Sequence, residues 1–137
     1  IISDTFQKIC VCDFMKEEVV TVPYHLPLSV LVEEYFYKYK FNGFPVVDGE
    51  EVIGFVNINR IRSVQRDHWT QQTVKSVMIP LEENLVVGLN DNVSKAMEKV
   101  FANGVGRVLV MEEDQLKGIV SKTDILNYLR IKTQLQK

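Results

Sequence analysis

Cysteine and histidine are both scarce in this chain of 137 residues. The only cysteines are Cys10 and Cys12, and the only histidines, His25 and His68, lie in separate turn-like segments. A disulfide between two such close residues would be strained, and two thiolates alone do not complete a zinc site. We therefore expect two reduced cysteines, at least one of them buried, in a reducing cytoplasm, and no metal site.

Long apolar runs and an excess of one charge are also missing. No stretch approaches the roughly 18 consecutive apolar residues of a membrane-spanning helix, and residues 1–4 lack the features of a signal peptide. The chain has 16 Lys and Arg against 18 Asp and Glu, a net charge of −2, so it lacks the basic surface that attracts nucleic acid. We expect a soluble domain that binds no nucleic acid. Its first residue is not Met, which indicates a fragment of a longer polypeptide.

Recognisable catalytic motifs are absent as well. No motif places a Ser-His or Cys-His pair, no phosphate-binding Walker loop occurs, and the carboxylates follow no metal or acid–base pattern. The composition, 46% hydrophobic and 25% charged, is that of a globular domain with its own core. The sequence therefore predicts a domain that is not an enzyme and requires no cofactor.

What the chain does contain is an internal repeat. Met15 corresponds to Met78 and Gly43 to Gly106, both 63 residues later, and the segment around Gly54 reappears 64 residues later. This predicts an N-terminal segment and first repeat over 1–64, a linker over 65–73, and a second repeat with a C-terminal helix over 74–137.

Hydrophobic periodicity changes in the same order in both repeats. A short β-rich run is followed by a helical stripe (28–39 and 93–101), a hairpin (45–56 and 108–120) and a second helix that opens near Asn59 and Asp124. Each repeat is therefore β-α-β-β-α. We predict an α+β fold in which two such repeats pack sheet to sheet around a pseudo-two-fold axis, with ligand clefts at the junction.

The order of elements, together with Gly-Phe-Pro-Val-Val at 43–47 and Gly-Ile-Val-Ser-Lys-Thr-Asp at 118–124, resembles the tandem CBS-domain pair, or Bateman module. The resemblance extends from about residue 11 to about residue 129. It implies a regulatory module that binds an adenosine-containing ligand, AMP, ADP or ATP above all, in the inter-repeat cleft and transmits its occupancy to a host protein. The alternatives are an S-adenosylmethionine sensor and a dimerisation module that binds no ligand.

The same resemblance implies the ribose and phosphate contacts. Gly118, Ser121 and Asp124 match the family's pattern for this part of the site. A carboxylate at a helix start accepts hydrogen bonds from a ribose diol, while the Ser121 hydroxyl and the helix N-terminus suit a phosphate. The alternative is that Asp124 only caps its helix.

The resemblance places the adenine against the backbone around Val86 and Val87 and against the strand edge formed by Gly106, Arg107 and Val108. Arg107 is also a candidate phosphate ligand.

The first repeat departs from the family's pattern, because Asn57 and Arg60 stand at the Ser and Asp positions. Arginine cannot accept a hydrogen bond from a diol, which puts a ribose site in this repeat in doubt. Arg60 is either a ligand for the phosphates of a nucleotide held by Asp124 or a solvated surface residue.

Two partners are predicted. CBS pairs commonly form homodimers through helices, for which Tyr35, Phe36, Val100 and Phe101 are candidates.

The segment from residue 60 to 78, with Trp69 in the linker, resembles the region between repeats in CBS pairs fused to site-2-type membrane zinc metalloproteases. No His-Glu-x-x-His motif occurs in this chain, so the protease would lie in the host polypeptide. This predicts either a cytoplasmic protein or the cytosolic domain of a membrane protein.

Overall fold

The computed structural model describes residues 9–136, which form two compact units. Unit 1 consists of residues 9–19 and 82–136, and unit 2 of residues 20–81. The boundaries predicted at 64 and 74 follow the sequence repeat, whereas the contacts divide the chain after residues 19 and 81. Residues 1–4, where no signal peptide is predicted, lie outside the described part. The α+β class and the repeated β-α-β-β-α order are confirmed.

The sheet of unit 2 contains four strands in the order β1-β2-β3-β4. The strands are β1 (Val22–Pro23), β2 (Gly43–Asp48), β3 (Glu51–Asn57) and β4 (Ile79–Pro80). β1 runs parallel to β2, and the other two pairs are antiparallel. The predicted hairpin is thus β2 and β3, joined by a tight turn with a left-handed glycine, Gly49.

The first helix of unit 2, α1, consists of three consecutive stretches. An α-helical turn, Leu28–Leu31, passes into a π-helical turn, Val32–Phe36, and then into a final α-helical turn, Tyr37–Tyr39. The predicted apolar stripe faces the core, and the helix ends where Lys40 adopts the left-handed conformation, φ 60°. Two short helices follow, α2 (Ile58–Arg62) and α3 (Val74–Val77).

Unit 1 repeats this arrangement with a three-stranded sheet in the order β5-β6-β7. Its elements are β5 (Val86–Gly88), α4 (Val93–Ala102), β6 (Arg107–Glu112), β7 (Gln115–Ser121) and α5 (Lys122–Leu135). Both hairpins contain a register shift at the same place, between Val46 and Val47 and between Val110 and Met111. The two repeats therefore share even this irregularity.

The predicted dimer surface needs correction. Phe36 and Val100 are buried in the cores of unit 2 and unit 1, because each packs inward from its helix against the sheet. Tyr35 is partly buried against the same unit 2 core, while Phe101 keeps 50% of its surface exposed. Trp69 packs against the unit 2 core, and its Nε1 donates to the Val64 carbonyl at 3.1 Å.

The expectation of two free thiols is also wrong for this structure, in which Cys10 and Cys12 are joined as a disulfide. The extended backbone at Cys10 is followed at once by a 3-10 turn, Val11–Asp13. This places the two Cα atoms 5.2 Å apart, within the range that a disulfide spans.

No helix within residues 9–136 is long and apolar enough to cross a membrane. The same residues contain no group of three or more His, Cys, Asp or Glu side chains placed to hold a metal ion.

Candidate functional site

Four of the predicted site residues meet at one end of the unit 1 hairpin, beside the start of α5. Arg107 begins β6 and lies opposite Ser121, the last residue of β7. The Lys122 amide, first in α5, donates to the Gly106 carbonyl at 2.8 Å. Asp124 follows in the first turn of this helix. Gly106, Arg107, Ser121 and Asp124 are therefore held together by strand register and by the helix start.

Ser121 and Asp124 cap α5 reciprocally. The Asp124 amide donates to Ser121 Oγ at 3.0 Å, and the Ser121 amide donates to Asp124 Oδ2 at 3.4 Å. Such a capping box satisfies two backbone donors that the helix leaves free. The helix therefore begins two residues earlier than predicted, and its N-cap is Ser121 rather than Asp124.

The other carboxylate oxygen of Asp124 takes no part in this capping. Oδ1 lies 3.6 Å from Lys16 Nζ, and 23% of the Asp124 side chain is exposed. Lys16 belongs to the N-terminal segment, which pairs with β7. The Lys16 amide donates to the Ile119 carbonyl at 3.0 Å, and the Ile119 amide donates to the Lys16 carbonyl at 2.9 Å. Lys16 is not predictable as a neighbour of Asp124 from the sequence, because the spacing of the two residues in the chain carries no signal.

Arg107 supplies a second positive charge at this site. Burial lowers the pKa of its guanidinium, and the neighbouring Asp124 carboxylate partly offsets the effect by raising that pKa. Arginine stays protonated nevertheless. A half-buried guanidinium therefore lies near a carboxylate that has an available oxygen, which suits a ligand with both an anionic group and hydroxyl donors.

Gly118 has a packing role in the structure. It is buried in β7, and a Cβ at this position would lie 2.7 Å from Met15 Sδ and 2.8 Å from the Lys16 carbonyl oxygen. Only glycine lets the N-terminal segment approach β7 this closely. Gly106 has a different reason to be glycine, a left-handed φ of 75°.

The valines predicted to border the adenine offer little beyond their backbone. The side chains of Val87 and Val108 are buried in the unit 1 core. Val86 is half-buried, and its carbonyl already accepts a hydrogen bond from Lys99 Nζ at 2.7 Å.

The corresponding end of the unit 2 hairpin carries different chemistry. Asn57 caps α2 by accepting a hydrogen bond from the Arg60 amide at 3.0 Å, so this helix begins at Ile58 rather than near Asn59. Arg60 occupies the position of Asp124 in the helix turn, and it is exposed. The phosphate role of Arg60 stays a prediction.

Comparison with known proteins identifies both repeats. The family model described as the CBS domain matches residues 11–67 and 74–131. A zinc metalloprotease, MJ0392 of Methanocaldococcus jannaschii, is 33% identical over 112 residues, which are 80% of this chain and 30% of that protein. The chain thus spans less than a third of this relative.

Solved structures show the same fold at low sequence identity. The CBS domain of a bacterial CNNM/CorC family Mg²⁺ transporter in complex with ATP superposes with a TM-score of 0.80 at 16% identity, covering 91% of this chain and 89% of that one. A CBS domain-containing protein from Bacillus anthracis str. Ames Ancestor gives 0.79 at 23% identity, covering 95% and 99%.

Proposed function

Because the chain belongs to the CBS-domain family and carries two copies of its domain, we propose that it is a regulatory module whose signal is an adenine nucleotide bound beside Asp124 in unit 1. Occupancy of this site would be transmitted to a host protein through a difference in nucleotide affinity between two arrangements of the module.

The observation that carries the proposal is the combination of Asp124 and Arg107. Asp124 has one oxygen engaged in capping and another that lies 3.6 Å from Nζ of the exposed Lys16. That oxygen is available to a ribose diol, and Arg107 with the start of α5 is available to phosphate. The ATP-bound relative supports the same ligand class.

The charges at the site favour a nucleotide over S-adenosylmethionine. Lys16 lies beside Asp124, Arg107 is half-buried next to it, and Lys122 begins the same helix. Lys122 Nζ, however, lies over the Phe101 ring, 4.7 Å from its centroid. Two cations, Lys16 and Arg107, beside one carboxylate suit a ligand that carries phosphates, whereas S-adenosylmethionine carries a sulfonium cation.

Asp124→Asn tests the site. Asn keeps an acceptor for the capping bond, so stability changes little, but the substitution removes the charged acceptor. A hydrogen bond to a charged group contributes roughly 1.5–3 kcal/mol, so the affinity for AMP, ADP or ATP should fall about tenfold or more in titration calorimetry.

Asp91→Asn is the matched control. Asp91 also accepts a backbone hydrogen bond, from Gly88 at 2.7 Å, and pairs with a lysine, Lys95, at 3.5 Å, but it lies at the other end of the sheet. The Asp91→Asn variant should therefore keep the nucleotide affinity of the parent. Equal nucleotide affinity in Asp124→Asn and the parent would contradict a site at Asp124. No stabilisation of the parent by any adenosine compound at millimolar concentration would favour the dimerisation module that binds no ligand.

We also propose that the module forms a homodimer through the exposed apolar side chains of α4 and α5. Phe101 on α4 and Leu126 on α5 are 50% and 46% exposed. The double substitution Phe101→Ser, Leu126→Ser should give a monomeric mass by light scattering at tens of micromolar protein. The control is Val30→Ser, which changes a 37% exposed apolar side chain on α1 of unit 2, outside the proposed interface, and should remain dimeric. A monomeric parent chain would contradict the proposal.

For the host, we propose a membrane zinc metalloprotease, with this module on the cytosolic side of the membrane. The similarity to the M. jannaschii metalloprotease supports this host, although this chain matches only 30% of that protein. Asp124→Asn in the complete host polypeptide should shift any response of its proteolysis to nucleotide concentrations about tenfold or more higher.

A further inference from the structure

The loop between α4 and β6 leads directly into the proposed nucleotide site and contains two left-handed glycines. Gly104 has φ 72° and Gly106 has φ 75°, and a Cβ at either position would meet no atom within 4 Å. Glycine loses more backbone freedom on ordering than any other residue, and the open space around these two offers no packing. The backbone that presents Arg107 therefore depends on other groups for its order.

The side chain of Asn103, which directly follows α4, supplies that order. Its Oδ1 accepts hydrogen bonds from the amides of Val105 and Gly106, at 2.8 and 3.2 Å. Its Nδ2 donates to the carbonyls of Arg107 and Asn84, both at 2.9 Å. Both polar atoms of one side chain are thus used twice, and they join the loop to itself and to a second segment.

The segment that contains Asn84 is itself anchored to α4. Lys99 Nζ donates to the carbonyls of Glu83 and Val86, both at 2.7 Å. These two bonds hold the backbone on either side of Asn84. Asn103 therefore ties the loop to a part of unit 1 that is already fixed by the helix.

The ordered loop sets the position of the site on its other side. The Gly106 carbonyl accepts from the Lys122 amide at 2.8 Å, which joins the loop to the start of α5. Arg107 follows as the first residue of β6. Hydrogen bonds therefore lead from Asn103 through the loop both to Arg107 and to the helix that carries Asp124.

Unit 2 has different chemistry at the corresponding position. The left-handed residue after the first helix is Lys40 in unit 2 and Gly104 in unit 1, so Tyr39 corresponds to Asn103. Tyr39 packs against Phe44, with ring centroids 6.1 Å apart. The fold thus accepts an aromatic side chain at this position, and the polar bridge lies in the unit that has the ribose acceptor.

We propose that Asn103 is a positioning residue of the nucleotide site, an inference that rests on the proposed function. Asn103 holds Gly106 and Arg107 in the binding arrangement before the nucleotide arrives. Ordering the loop in the free protein removes that cost from the binding step, so Asn103 raises the nucleotide affinity without touching the ligand.

A double-mutant cycle tests whether Asn103 acts through Arg107. Asn103→Ala leaves Arg107 on an unordered loop and Arg107→Gln removes the charged donor, so each should lower the ATP affinity about tenfold in titration calorimetry. The double variant should bind ATP within about twofold of Arg107→Gln alone. Independent contributions would instead multiply to a loss of about a hundredfold.

Asn92→Ala is the matched control, since Asn92 caps the opposite end of α4 by accepting from the Lys95 amide at 3.3 Å. The control makes the same change of side chain and also destabilises the helix, but it should keep the ATP affinity of the parent. Circular dichroism establishes that each variant is folded at the temperature of the titration.

Amide hydrogen exchange of the parent, followed by NMR, needs no substitution and therefore does not depend on how the variants fold. The Val105 and Gly106 amides should already be protected in the ligand-free protein, because Asn103 accepts from both. Rapid exchange of these amides that slows only when ATP is added would overturn the proposal.

Two binding results would overturn it as well. The first is an Asn103→Ala variant with the ATP affinity of the parent, and the second is a pair of losses that multiply in the double variant. A parent chain that binds no adenine nucleotide would overturn the proposed function and this inference together. Binding by the parent with equal binding by Asn103→Ala would overturn this inference alone.

Discussion

At the scale of single residues, a glycine packed against a methionine allows a close backbone approach in both units. Gly118 accommodates Met15 and the Lys16 carbonyl, and Gly54 accommodates the repeat counterparts, Met78 and the Ile79 carbonyl. In each case a methionine covers a glycine in the second strand of the hairpin, although Met15 precedes the strands of unit 1 in the chain and Met78 follows the hairpin of unit 2. The glycines are therefore required by close packing and not by turn geometry.

Gly118→Ala should destabilise the protein by about 1–3 kcal/mol, the usual cost of overpacking a tight site. The new Cβ would lie within 3 Å of backbone as well as of the Met15 sulfur, and backbone cannot move aside cheaply. Urea denaturation followed by circular dichroism measures the loss. Gly88→Ala is the control, since the nearest atom to its new Cβ is a carboxylate oxygen of Asp91 at 3.3 Å. A larger loss in the control would refute the packing argument.

At the scale of elements, the N-terminal segment behaves as part of the unit 1 sheet and core. The Val11 amide donates to the Asp91 carbonyl at 2.9 Å, and the Val93 amide donates to the Ile9 carbonyl at 2.8 Å. Ile9 and Val11 are buried in the unit 1 core. The segment is thus held by hydrogen bonds at its start, by apolar burial at its centre and by β7 at its end.

Val11→Ala should cost about 2 kcal/mol, because it removes two buried methyl groups from a side chain with no exposed surface and leaves a cavity. Val30→Ala is the control: Val30 is 37% exposed on α1, and alanine has the higher helix propensity. Thermal denaturation of the parent and the two variants measures the loss of stability in each. An equal loss in both would mean that the segment does not belong to the core.

Periodicity alone could predict the interior of each element but not its ends. The stripe at 28–39 and the two hairpins were predictable, since burial on one face imposes a spacing on apolar residues. The helix starts were predicted one or two residues late. Asn59 and Asp124 have capping side chains, but the N-caps are Asn57 and Ser121, and Asp124 serves as the third residue of a capping box.

The candidate site likewise contains residues that could be predicted from the sequence and one that could not. Ser121, Asp124 and Arg107 could be found from a motif and its counterpart strand, since short-range spacing and strand register bring them together. Lys16 could not, because it comes from a segment more than 100 residues earlier, and strand pairing at that distance leaves no local pattern. The π-helical turn of α1 also has no signature in the apolar stripe, which fits an ordinary helix equally well.

At the scale of the whole molecule, the two repeats have the same fold and different chemistry. The third helical position after the hairpin is an acceptor, Asp124, in unit 1 and a donor, Arg60, in unit 2. A ribose diol needs an acceptor at that place. We therefore expect the two repeats to provide no more than one ribose site.

Titration calorimetry with AMP or ATP should accordingly give one nucleotide per chain. Arg60→Gln should leave that stoichiometry unchanged, because Arg60 does not accept from the ribose, whereas Asp124→Asn should remove most of the binding heat. Two equivalent sites per chain would contradict the asymmetry.

The division of unit 1 between both ends of the chain has a consequence for biosynthesis. The ribosome makes residues 9–19 before unit 2, but their partners in the sheet and core are residues 82–136, which are made after unit 2. Unit 2 is continuous and is complete once residue 81 has emerged, so it can fold while synthesis proceeds. Until residues 82–136 have been made, the apolar side chains of Ile9 and Val11 lack the core against which they pack. We therefore expect closure of unit 1, which joins segments far apart in the sequence, to follow the folding of unit 2 and to be the slower step.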